Sequence, residues 1–374
     1  MLDSVRRGAL LGGRLLQANA GRLASPLKLN LALTYWCQYK CKTCNIWRRR
    51  PTDELTTGEI LTFVRENRNV SWLDVTGGEI FLRDDIGEIF DAITDSWRDL
   101  FVLHFPTNGF LTKKIVAVAE RLARSRVPNV IVTVSTDGDQ ALNDEIRGIK
   151  GGFDRQMETL NALRGIDGIR AVVGMTVSRF NVGQIQPTFD AVRAVTPGLT
   201  MDDFHVNFAQ ESQHYYANAG DAVAAPKDEI LRELQGYRAQ RGPVRSPAGW
   251  IEDTFLRKLE TYVQTGTTPM PCHSLRSSCF IDPWGTVFPC ITYTRPLGRL
   301  RETGMRLAPI WESADTRATQ GEIWKGSCPQ CWTACEAYHS ILGNLVRPFA
   351  PPAGPPLQQP AAESIPLTLV GTGK

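Results

Sequence analysis

Six apolar segments recur along the chain at spacings of roughly 30 to 40 residues, which leaves room for one helix and two loops in each interval. They are rich in valine and isoleucine and nearly continuous in hydrophobic residues. This is typical of strands that are buried on both faces of a parallel sheet. The predicted strands are Lys28–Trp36, Val70–Val75, Phe101–Pro106, Asn129–Ser135, Ile169–Val177 and Asp203–Phe208.

Helical patterns fill the intervals between these strands. Thr56 and Glu59 are spaced as a capping box, and Leu55 and Ile60 flank it as a hydrophobic staple. Further amphipathic segments are Asp84–Trp97, Lys113–Arg124, Phe153–Leu163 and Val182–Val195. Repeated strand–helix alternation predicts a parallel α/β fold. Six units are fewer than the eight of a closed barrel, so we expect a partial (β/α)6 barrel over residues 28–210.

The alternation stops after Ala209. Residues 211–270 form a predicted helical connection, with helices near Lys227–Gln240 and Trp250–Gln264. Residues 271–345 form a small cysteine-rich module, predicted to be irregular over Pro271–Cys335. Its short apolar runs cannot support a core alone, so we expect metal to stabilise it. The proline-rich tail, residues 346–374, is predicted to be disordered or extended.

The first 27 residues resemble a signal peptide only superficially. Arg6 and Arg7 precede a short apolar stretch, but Arg14 interrupts it and leaves too short an apolar region for secretion. We expect an amphipathic helix that docks on the protein core or on a membrane surface.

Composition narrows the class of protein. The 374 residues carry 42 Lys and Arg against 39 Asp and Glu, a net charge of +3. That balance argues against a polyanion-binding chain, so no nucleic-acid partner is expected. Nine cysteines, an odd and clustered set without a convincing secretion signal, argue against a disulfide framework. A cytoplasmic, metal-binding protein is the better interpretation.

Three cysteines, Cys37, Cys41 and Cys44, directly follow the first strand. Parallel α/β folds place their active sites at this carboxyl edge. A structural zinc site needs four ligands, and no fourth Cys or His lies nearby in the sequence. Three thiolates suit a 4Fe–4S cluster that leaves one iron open to an external ligand.

The spacing Cys37-x3-Cys41-x2-Cys44 after a first strand resembles the radical S-adenosylmethionine (SAM) superfamily. The resemblance implies that SAM binds the open iron and is reductively cleaved, giving a 5′-deoxyadenosyl radical that abstracts hydrogen from a substrate. It also implies an electron donor such as flavodoxin or ferredoxin. The residue before the third cysteine, often aromatic in the family, is Thr43 here.

A second resemblance lies at the end of the second strand, where Gly77, Gly78 and Glu79 match the family's Gly-Gly-Glu motif. The implied role is to hold the SAM amino group through backbone acceptors and the Glu79 carboxylate. For the residues at the other strand ends, the alternative to SAM binding is that they form ordinary turns. The further residues that the resemblance assigns to SAM are Asn108, Ser135, Asp137, Arg147, Ser178, Asn181, Val206 and Asn207.

Six cysteines remain near the C-terminus, spaced Cys272-x6-Cys279-x10-Cys290 and Cys328-x2-Cys331-x3-Cys335 around a hairpin predicted at 281–290. The pattern resembles the SPASM and twitch extensions that carry auxiliary clusters. At four thiolates per cluster, one auxiliary 4Fe–4S cluster is expected. Cys272, Cys290 and Cys335 are the expected ligands, with Cys279 as the fourth. The rival set uses Cys328 and Cys331. Two clusters, one of them incompletely ligated, and a structural zinc ion also remain open.

Five residues near the end of the sixth strand are candidates for proton handling or substrate contact. They are His205, Glu211, His214, Tyr215 and Tyr216. A polar loop with solvent-facing aromatic rings is the alternative. In the sulfatase-maturing relatives a carboxylate follows the hairpin cysteine, whereas Ile291 stands there in this chain.

The leading hypothesis is therefore a radical SAM enzyme that oxidises or crosslinks a peptide or small metabolite, with an auxiliary cluster accepting an electron. A redox-neutral reaction such as epimerisation or rearrangement, with a structural auxiliary cluster, is the alternative within that class. A zinc-binding interaction protein on a degenerate barrel is the alternative from another class.

Overall fold

The structure is a computed structural model, and it describes residues 2–345 of the chain. Six parallel strands form a curved sheet in the order β6-β5-β4-β3-β2-β1. The predicted partial (β/α)6 barrel is confirmed. The strands are β1 (Lys28–Thr34), β2 (Trp72–Gly77), β3 (Val102–Thr107), β4 (Asn129–Ser135), β5 (Ile169–Val177) and β6 (Phe204–Phe208).

The cysteine-rich region extends the same sheet. Strand β7 (Ser278–Ile281) pairs in parallel with β1, and β8 (Thr286–Phe288) and β9 (Gly298–Arg299) continue from it antiparallel. Cys279, Ile281 and Val287 of this hairpin belong to the same core as the barrel, and Phe280 and Phe288 belong to a second cluster with Tyr35. The short apolar runs thus find their burial by adding to the edge of β1. The predicted tail at 346–374 lies outside the described residues.

Helices cover the outer side of the sheet. Thr56 Oγ1 accepts a hydrogen bond from Glu59 N at 3.3 Å, and Thr56 N donates to the Glu59 carboxylate at 2.9 Å, which confirms the capping box. Helices α5, α10 and α11 and the first two residues of α12 lie where the sequence predicted turns or irregular structure. The helices are α1 (Leu2–Ala20), α2 (Thr57–Glu66), α3 (Ile86–Ser96), α4 (Thr112–Ala123), α5 (Gln140–Arg147), α6 (Gly152–Arg164), α7 (Ile185–Val195), α8 (Lys227–Arg241), α9 (Pro247–Thr265), α10 (Ala308–Trp311), α11 (Ala314–Trp324) and α12 (Ala334–Gly343).

The two faces of the curved sheet differ in polarity. Successive side chains of a strand point to opposite faces. Residues such as Leu31, Val75 and Phe105 are buried on the outer face against the helices. Many of the alternate positions are polar, and the register places Asp74 of β2 beside His104 of β3 on the inner face. The barrel interior is therefore a polar chamber.

Helices α9 and α12 close the open side of this chamber between β6 and β1. Glu252 of α9 lies 3.4 Å from His205 of β6. Glu336 of α12 accepts a hydrogen bond from Asn30 of β1 at 3.1 Å. The two helices pack on each other, with Phe255 and Tyr338 ring centroids 5.3 Å apart. The chamber is thus enclosed by the barrel on one side and by the C-terminal region on the other.

Helix α1 packs at the amino-terminal end of the barrel. It buries Leu11, Leu15 and Ala18 against Leu27 and Phe101, which directly precede β1 and β3. Among residues 2–345, no helix has the length and apolar character needed to cross a membrane.

Candidate functional site

The loop that carries Cys37, Cys41 and Cys44 leaves the carboxyl end of β1 and rests on α5. The backbone amides of Lys40 and Lys42 on either side of Cys41 donate to carbonyls at the end of α5, at 3.0 and 2.8 Å. The three thiols are half-buried. Burial, and next the neighbouring Cys41 thiol, raise the pKa of Cys37 and of Cys44 to about 12. Ionisation of such thiols requires a positive partner, and a metal centre supplies one.

Gly77 and Gly78 let the end of β2 approach the start of this loop. The Gly78 amide donates to the Thr34 carbonyl at 2.7 Å, and the Glu79 amide donates to the Trp36 carbonyl at 2.8 Å. A Cβ on Gly78 would lie 2.1 Å from the Trp36 carbonyl oxygen, and Gly77 has φ of +130°. Only glycine fits both positions without moving the cysteine loop.

The Glu79 side chain joins the ends of β2 and β3. It is buried, and its carboxylate accepts hydrogen bonds from Asn108 N at 2.7 Å and Thr107 Oγ1 at 3.1 Å. Burial raises the pKa of Glu79 to about 7. Asn108 Nδ2 in turn lies 3.9 Å from Cys37 Sγ. Glu79, Asn108 and Cys37 are therefore brought together at one point of the barrel edge.

Asp137 and Arg147 form a buried ion pair at 2.9 Å beside the cysteine loop. The other Asp137 oxygen accepts a hydrogen bond from Thr176 N at 2.9 Å. Burial opposes the charge of Arg147, but Asp137 and then the Cys41 thiol outweigh it and raise the pKa of Arg147. Arg147 Nε is buried and has no hydrogen-bond partner among the described residues. One strong donor thus remains free next to the cysteines.

Ser178 and Asn181 hold the loop that follows β5. The Ser178 amide and hydroxyl donate to Asn181 Oδ1 at 2.7 and 3.0 Å, and Asn181 Nδ2 donates to the Asp137 carbonyl at 2.9 Å. These side chains therefore act on the position of Asp137. Ser135 is half-buried at the end of β4, opposite Gly174.

Strand β6 places its candidate residues on both faces. Val206 is buried on the outer face, in the core. His205 and Asn207 point to the inner face, where His205 faces Glu252 and Asn207 Oδ1 has no hydrogen-bond partner among residues 2–345. Glu252 also accepts a hydrogen bond from Tyr338 Oη at 2.6 Å. His205 and Asn207 thus reach the chamber.

The loop after β6 attaches itself to both cysteine regions. His214 is buried, stacks on Phe288 and hydrogen-bonds the Cys290 carbonyl at 3.0 Å. Burial lowers the pKa of His214 to about 3, so this ring is neutral near pH 7. The Tyr215 hydroxyl bonds to Thr76 Oγ1 of β2.

Two further candidates lie in the same loop. The Tyr216 carbonyl accepts from Cys44 Sγ at 3.8 Å. Glu211 is exposed and accepts a hydrogen bond from Gly220 N at 2.9 Å. Of the five candidates near β6, His205 lies on the inner face of the sheet, and the Tyr215 hydroxyl reaches the inner-face residue Thr76 from the loop.

The C-terminal cysteines divide by position. The pKa of Cys272 is raised first by burial and then by Glu336, Cys331 and Cys328. Burial and then Cys331 raise that of Cys290. These four thiols, those of Cys272, Cys290, Cys328 and Cys331, are electrostatic neighbours. Within residues 2–345, no three His, Cys, Asp or Glu side chains converge as the ligands of a single metal ion do.

Cys279 lies apart from that group, whereas Cys335 is an electrostatic neighbour of Cys290. Cys279 pairs with Leu29 in the sheet, is fully buried, and responds electrostatically to Glu336 and Arg22 but to no cysteine. Cys335 packs in one apolar cluster with Cys37 and Cys44. It therefore lies on the side of the C-terminal region that faces the first cysteine loop.

A charged network on the inner face was missed by the sequence analysis. The fully buried Lys28 pairs with Asp74 at 2.8 Å, and His104 Nδ1 lies 3.2 Å from the other Asp74 oxygen. His104 Nε2 meets Thr133 Oγ1 at 2.9 Å. Burial opposes ionisation of Asp74, but Lys28 and then His104 outweigh it and lower its pKa. The signal was available, because these polar residues interrupt apolar strands at alternating positions.

The residues at this edge fit a 4Fe–4S cluster with SAM. Three thiols within one loop supply the ligands for three irons and leave the fourth open. Gly77 and Gly78 bring backbone acceptors close to that loop, which suits an ammonium group. The unpartnered Nε of Arg147 suits a carboxylate.

Comparison with known proteins agrees with this fit. Residues 31–192 match the model of the radical SAM superfamily, and residues 272–332 match the SPASM model of an iron–sulfur cluster-binding domain. The mycofactocin maturase MftC of Mycolicibacterium smegmatis is 30% identical over 296 residues, which cover 74% of this chain and 67% of that protein. The subtilosin biosynthesis protein AlbA of Bacillus subtilis is 24% identical over 317 residues. That match covers 83% of this chain but 64% of AlbA, so the chain spans less than two thirds of the length of that relative.

Solved structures share the fold. Streptococcus suis SuiB bound to its precursor peptide SuiA superposes with a TM-score of 0.58 and 17% identity over 91% of this chain and 76% of that chain. The protein anSMEcpe, solved with AdoMet and the Cp18Cys peptide, gives a TM-score of 0.55 and 13% identity over 79% and 83% of the two chains. The chain is an enzyme of the radical SAM superfamily, which uses SAM with a 4Fe–4S cluster, and its C-terminal SPASM domain binds further iron–sulfur.

Proposed function

We propose that this enzyme matures a peptide by a net two-electron oxidation, either a desaturation or a crosslink. The observation that supports the proposal is the polar inner face of the barrel, which lies between two sets of cysteines. The Cys37 loop stands at the carboxyl edge of the barrel, and the C-terminal cysteines lie before, within and after the hairpin that pairs with β1. A substrate in the chamber would thus meet both cysteine sets.

When bound, a 4Fe–4S cluster and SAM supply reductive cleavage of the sulfonium and abstraction of a hydrogen atom from the substrate. Cys37, Cys41 and Cys44 hold the cluster, and Asn108 Nδ2 supports the Cys37 thiolate. The glycine backbone accepts from the amino group of SAM, and Arg147 Nε donates to its carboxylate. Asp137 keeps the Arg147 guanidinium oriented toward the cysteine loop.

For the auxiliary cluster we propose Cys272, Cys290, Cys328 and Cys331 as ligands, since each of these thiols influences another of the set electrostatically. Cys335 is also influenced by Cys290, but it packs with Cys37 and Cys44. Four thiolates leave no open iron, which favours electron acceptance over substrate binding. Cys279 acts as a core residue in this assignment. This assignment replaces the set of Cys272, Cys279, Cys290 and Cys335, which the spacing in the sequence favoured.

A peptide substrate is supported by the relatives, because AlbA and MftC are named as a bacteriocin biosynthesis protein and a maturase. The chamber wall supplies hydrogen-bonding groups suited to an amide backbone. His104 and His205 are about a third exposed on its inner face. Asn207 adds an unpartnered carbonyl oxygen there. The electron donor that we expect is a flavodoxin or a ferredoxin.

The test begins with iron content after anaerobic reconstitution. Wild-type protein should hold about eight irons per chain, and the Cys37→Ala/Cys41→Ala/Cys44→Ala variant about four. Cys331→Ser should lose the auxiliary share, whereas the matched Cys279→Ser should keep it. Retention of auxiliary iron by Cys331→Ser would overturn the ligand assignment.

The reaction itself is tested by co-expression with short reading frames that flank the gene, followed by mass spectrometry of the peptides. Loss of a pair of hydrogen atoms supports oxidation. An unchanged mass in normal water, with uptake of one deuterium from heavy water, would support epimerisation instead. A reconstituted protein that forms no 5′-deoxyadenosine from SAM and dithionite would contradict both.

A further inference from the structure

The cysteine loop presents a positively charged outer face. Lys40 and Lys42, on either side of Cys41, are exposed, and so are Arg48 and Arg179. We call these four residues, with the rings of Trp47 and Phe180, the cysteine-loop face. Neither cluster binding nor SAM binding uses the side chains of this face.

Cation–π contacts hold these cations in two groups. Lys40 Nζ lies 6.0 Å and Arg48 Cζ 5.0 Å from the centre of the Trp47 ring. Lys42 Nζ lies 5.6 Å and Arg179 Cζ 4.8 Å from the Phe180 ring. Such contacts orient flexible side chains while leaving their charge in water. The face is therefore a preorganised pair of basic patches on either side of Cys41.

Little acidic charge offsets these cations. Glu145 pairs with Lys42 at 2.5 Å, but both side chains are well exposed, and exposed pairs are weak and screened by salt. The nearby Asp221 carboxylate accepts a hydrogen bond from Asn45 at the edge of the loop. Because the whole chain has a net charge of only +3, this concentration of cations is a local feature. A local field of this kind steers oppositely charged partners.

We propose that the cysteine-loop face docks an acidic one-electron donor protein of the flavodoxin or ferredoxin class. The inference rests on the proposed cluster at Cys37, Cys41 and Cys44. Cys41 lies one residue from each exposed lysine, so a protein seated on this face lies next to one of the cluster ligands. In the docked step one electron passes from the reduced donor to the cluster, and no bond or proton changes.

The charged and aromatic groups have separate tasks. The cations raise the rate of encounter and orient the donor, an effect that falls with ionic strength. Trp47 and Phe180 supply flat surface at the centre of each patch, as aromatic residues do in protein interfaces. An acidic segment of a substrate peptide has the same charge, and the experiment distinguishes it from the donor.

The test measures cluster reduction, not turnover. Reduced flavodoxin is mixed anaerobically with reconstituted protein, and the loss of cluster absorbance is followed by stopped flow. The variant carries Lys40→Gln, Lys42→Gln, Arg48→Gln and Arg179→Gln. The matched control removes four exposed cations from the loops at the amino-terminal end of the barrel: Arg68→Gln, Arg98→Gln, Arg124→Gln and Arg126→Gln.

At low salt the face variant should be reduced by flavodoxin about tenfold more slowly than the control, since steering contributes factors of about 10 to 1,000. The difference should disappear at about 0.5 M salt, where the screening length is well below about 8 Å. Photoreduced deazariboflavin, a small reductant without comparable charge, should reduce both variants equally.

Two results overturn the inference. Equal rates with flavodoxin at low salt exclude docking at this face, and if such a variant also loses peptide binding, the face recognises peptide instead. An equal slowing with deazariboflavin shows damage to the cluster site. Failure of the proposed function is distinguishable, because substitution of Cys37, Cys41 and Cys44 would then leave the iron content unchanged.

Discussion

The Arg147 guanidinium has two roles: it forms a buried ion pair with Asp137, and its free Nε is the proposed donor to the carboxylate of SAM. Variants of the two residues can test these roles separately. The two side chains are 4% and 9% exposed and 2.9 Å apart. Asp137→Asn removes the carboxylate charge but keeps an oxygen for the amide of Thr176. Arg147 is then left as a buried cation without its counter-ion. Breaking a buried pair in this way costs about 3 to 5 kcal/mol.

The entropy of unfolding, which scales with the length of the chain, converts this cost into a shift of the melting temperature. At about 2.1 cal/mol/K per residue, unfolding of all 374 residues together carries about 0.8 kcal/mol/K. The melting temperature of Asp137→Asn should therefore fall by about 4 to 6 °C, with the reconstituted protein as the reference. The double variant Asp137→Asn/Arg147→Met should recover most of this loss, because an uncharged chain of similar length fills the site.

Binding gives the second readout. Isothermal titration with SAM should show weak binding by the double variant in spite of its restored stability, because the Arg147 Nε donor is gone. A charge-assisted hydrogen bond contributes about 1.5 to 3 kcal/mol, which corresponds to roughly 10- to 100-fold in affinity. The reasoning is refuted if Asp137→Asn melts like wild type, or if the double variant binds SAM like wild type.

Two further predictions concern Gly78 and Asp282. Gly78→Ala places a Cβ 2.1 Å from the Trp36 carbonyl oxygen, so it should lower the free energy of unfolding by about 3 kcal/mol and weaken SAM binding. The control Gly151→Ala, at φ +73° in open space, should lower it by only about 1 kcal/mol and leave SAM binding intact. Equal melting shifts would contradict the steric argument. Burial raises the pKa of Asp282 from 3.8 to about 6, so the folded state holds this proton more tightly than the unfolded state. The stability of the folded protein therefore falls as the pH rises through that interval. Asp282→Asn should therefore melt higher than wild type at pH 7, by an amount that shrinks toward pH 5, and a pH-independent difference would count against this cause.

The barrel was predictable because its determinants are local. Continuous apolar runs such as Ile169–Val177 fix the strands, and the observed bounds of β4 and β5 match the predicted ones. The short helix α5 was missed because its apolar face is small, and the strand-ending turn before it dominated the pattern. It begins at an Asp139 cap and ends at Gly148, which adopts a left-handed conformation. Such helices depend on tertiary contacts rather than on their own periodicity.

The site was only partly predictable, because its most polar members depend on strand register. The cysteine spacing is visible in the sequence, whereas Lys28, Asp74 and His104 become neighbours only when β1, β2 and β3 align. The carboxylate of Glu79 is engaged by the end of β3, a contact that spacing does not reveal. Pairing across strands is non-local information, so one sequence leaves it open.

The register of β7 against β1 also decides which C-terminal cysteine can serve a cluster. Ser278 aligns with Lys28 and Cys279 with Leu29. Because successive side chains alternate, Cys279 must share the apolar outer face with Leu29 while Ser278 turns inward, where its hydroxyl bonds the Glu336 carboxylate at 3.1 Å. A slip of one residue would exchange the two faces. The cysteines of the C-terminal region thus acquire different roles, because the register of the sheet also selects which thiols can reach a shared cluster.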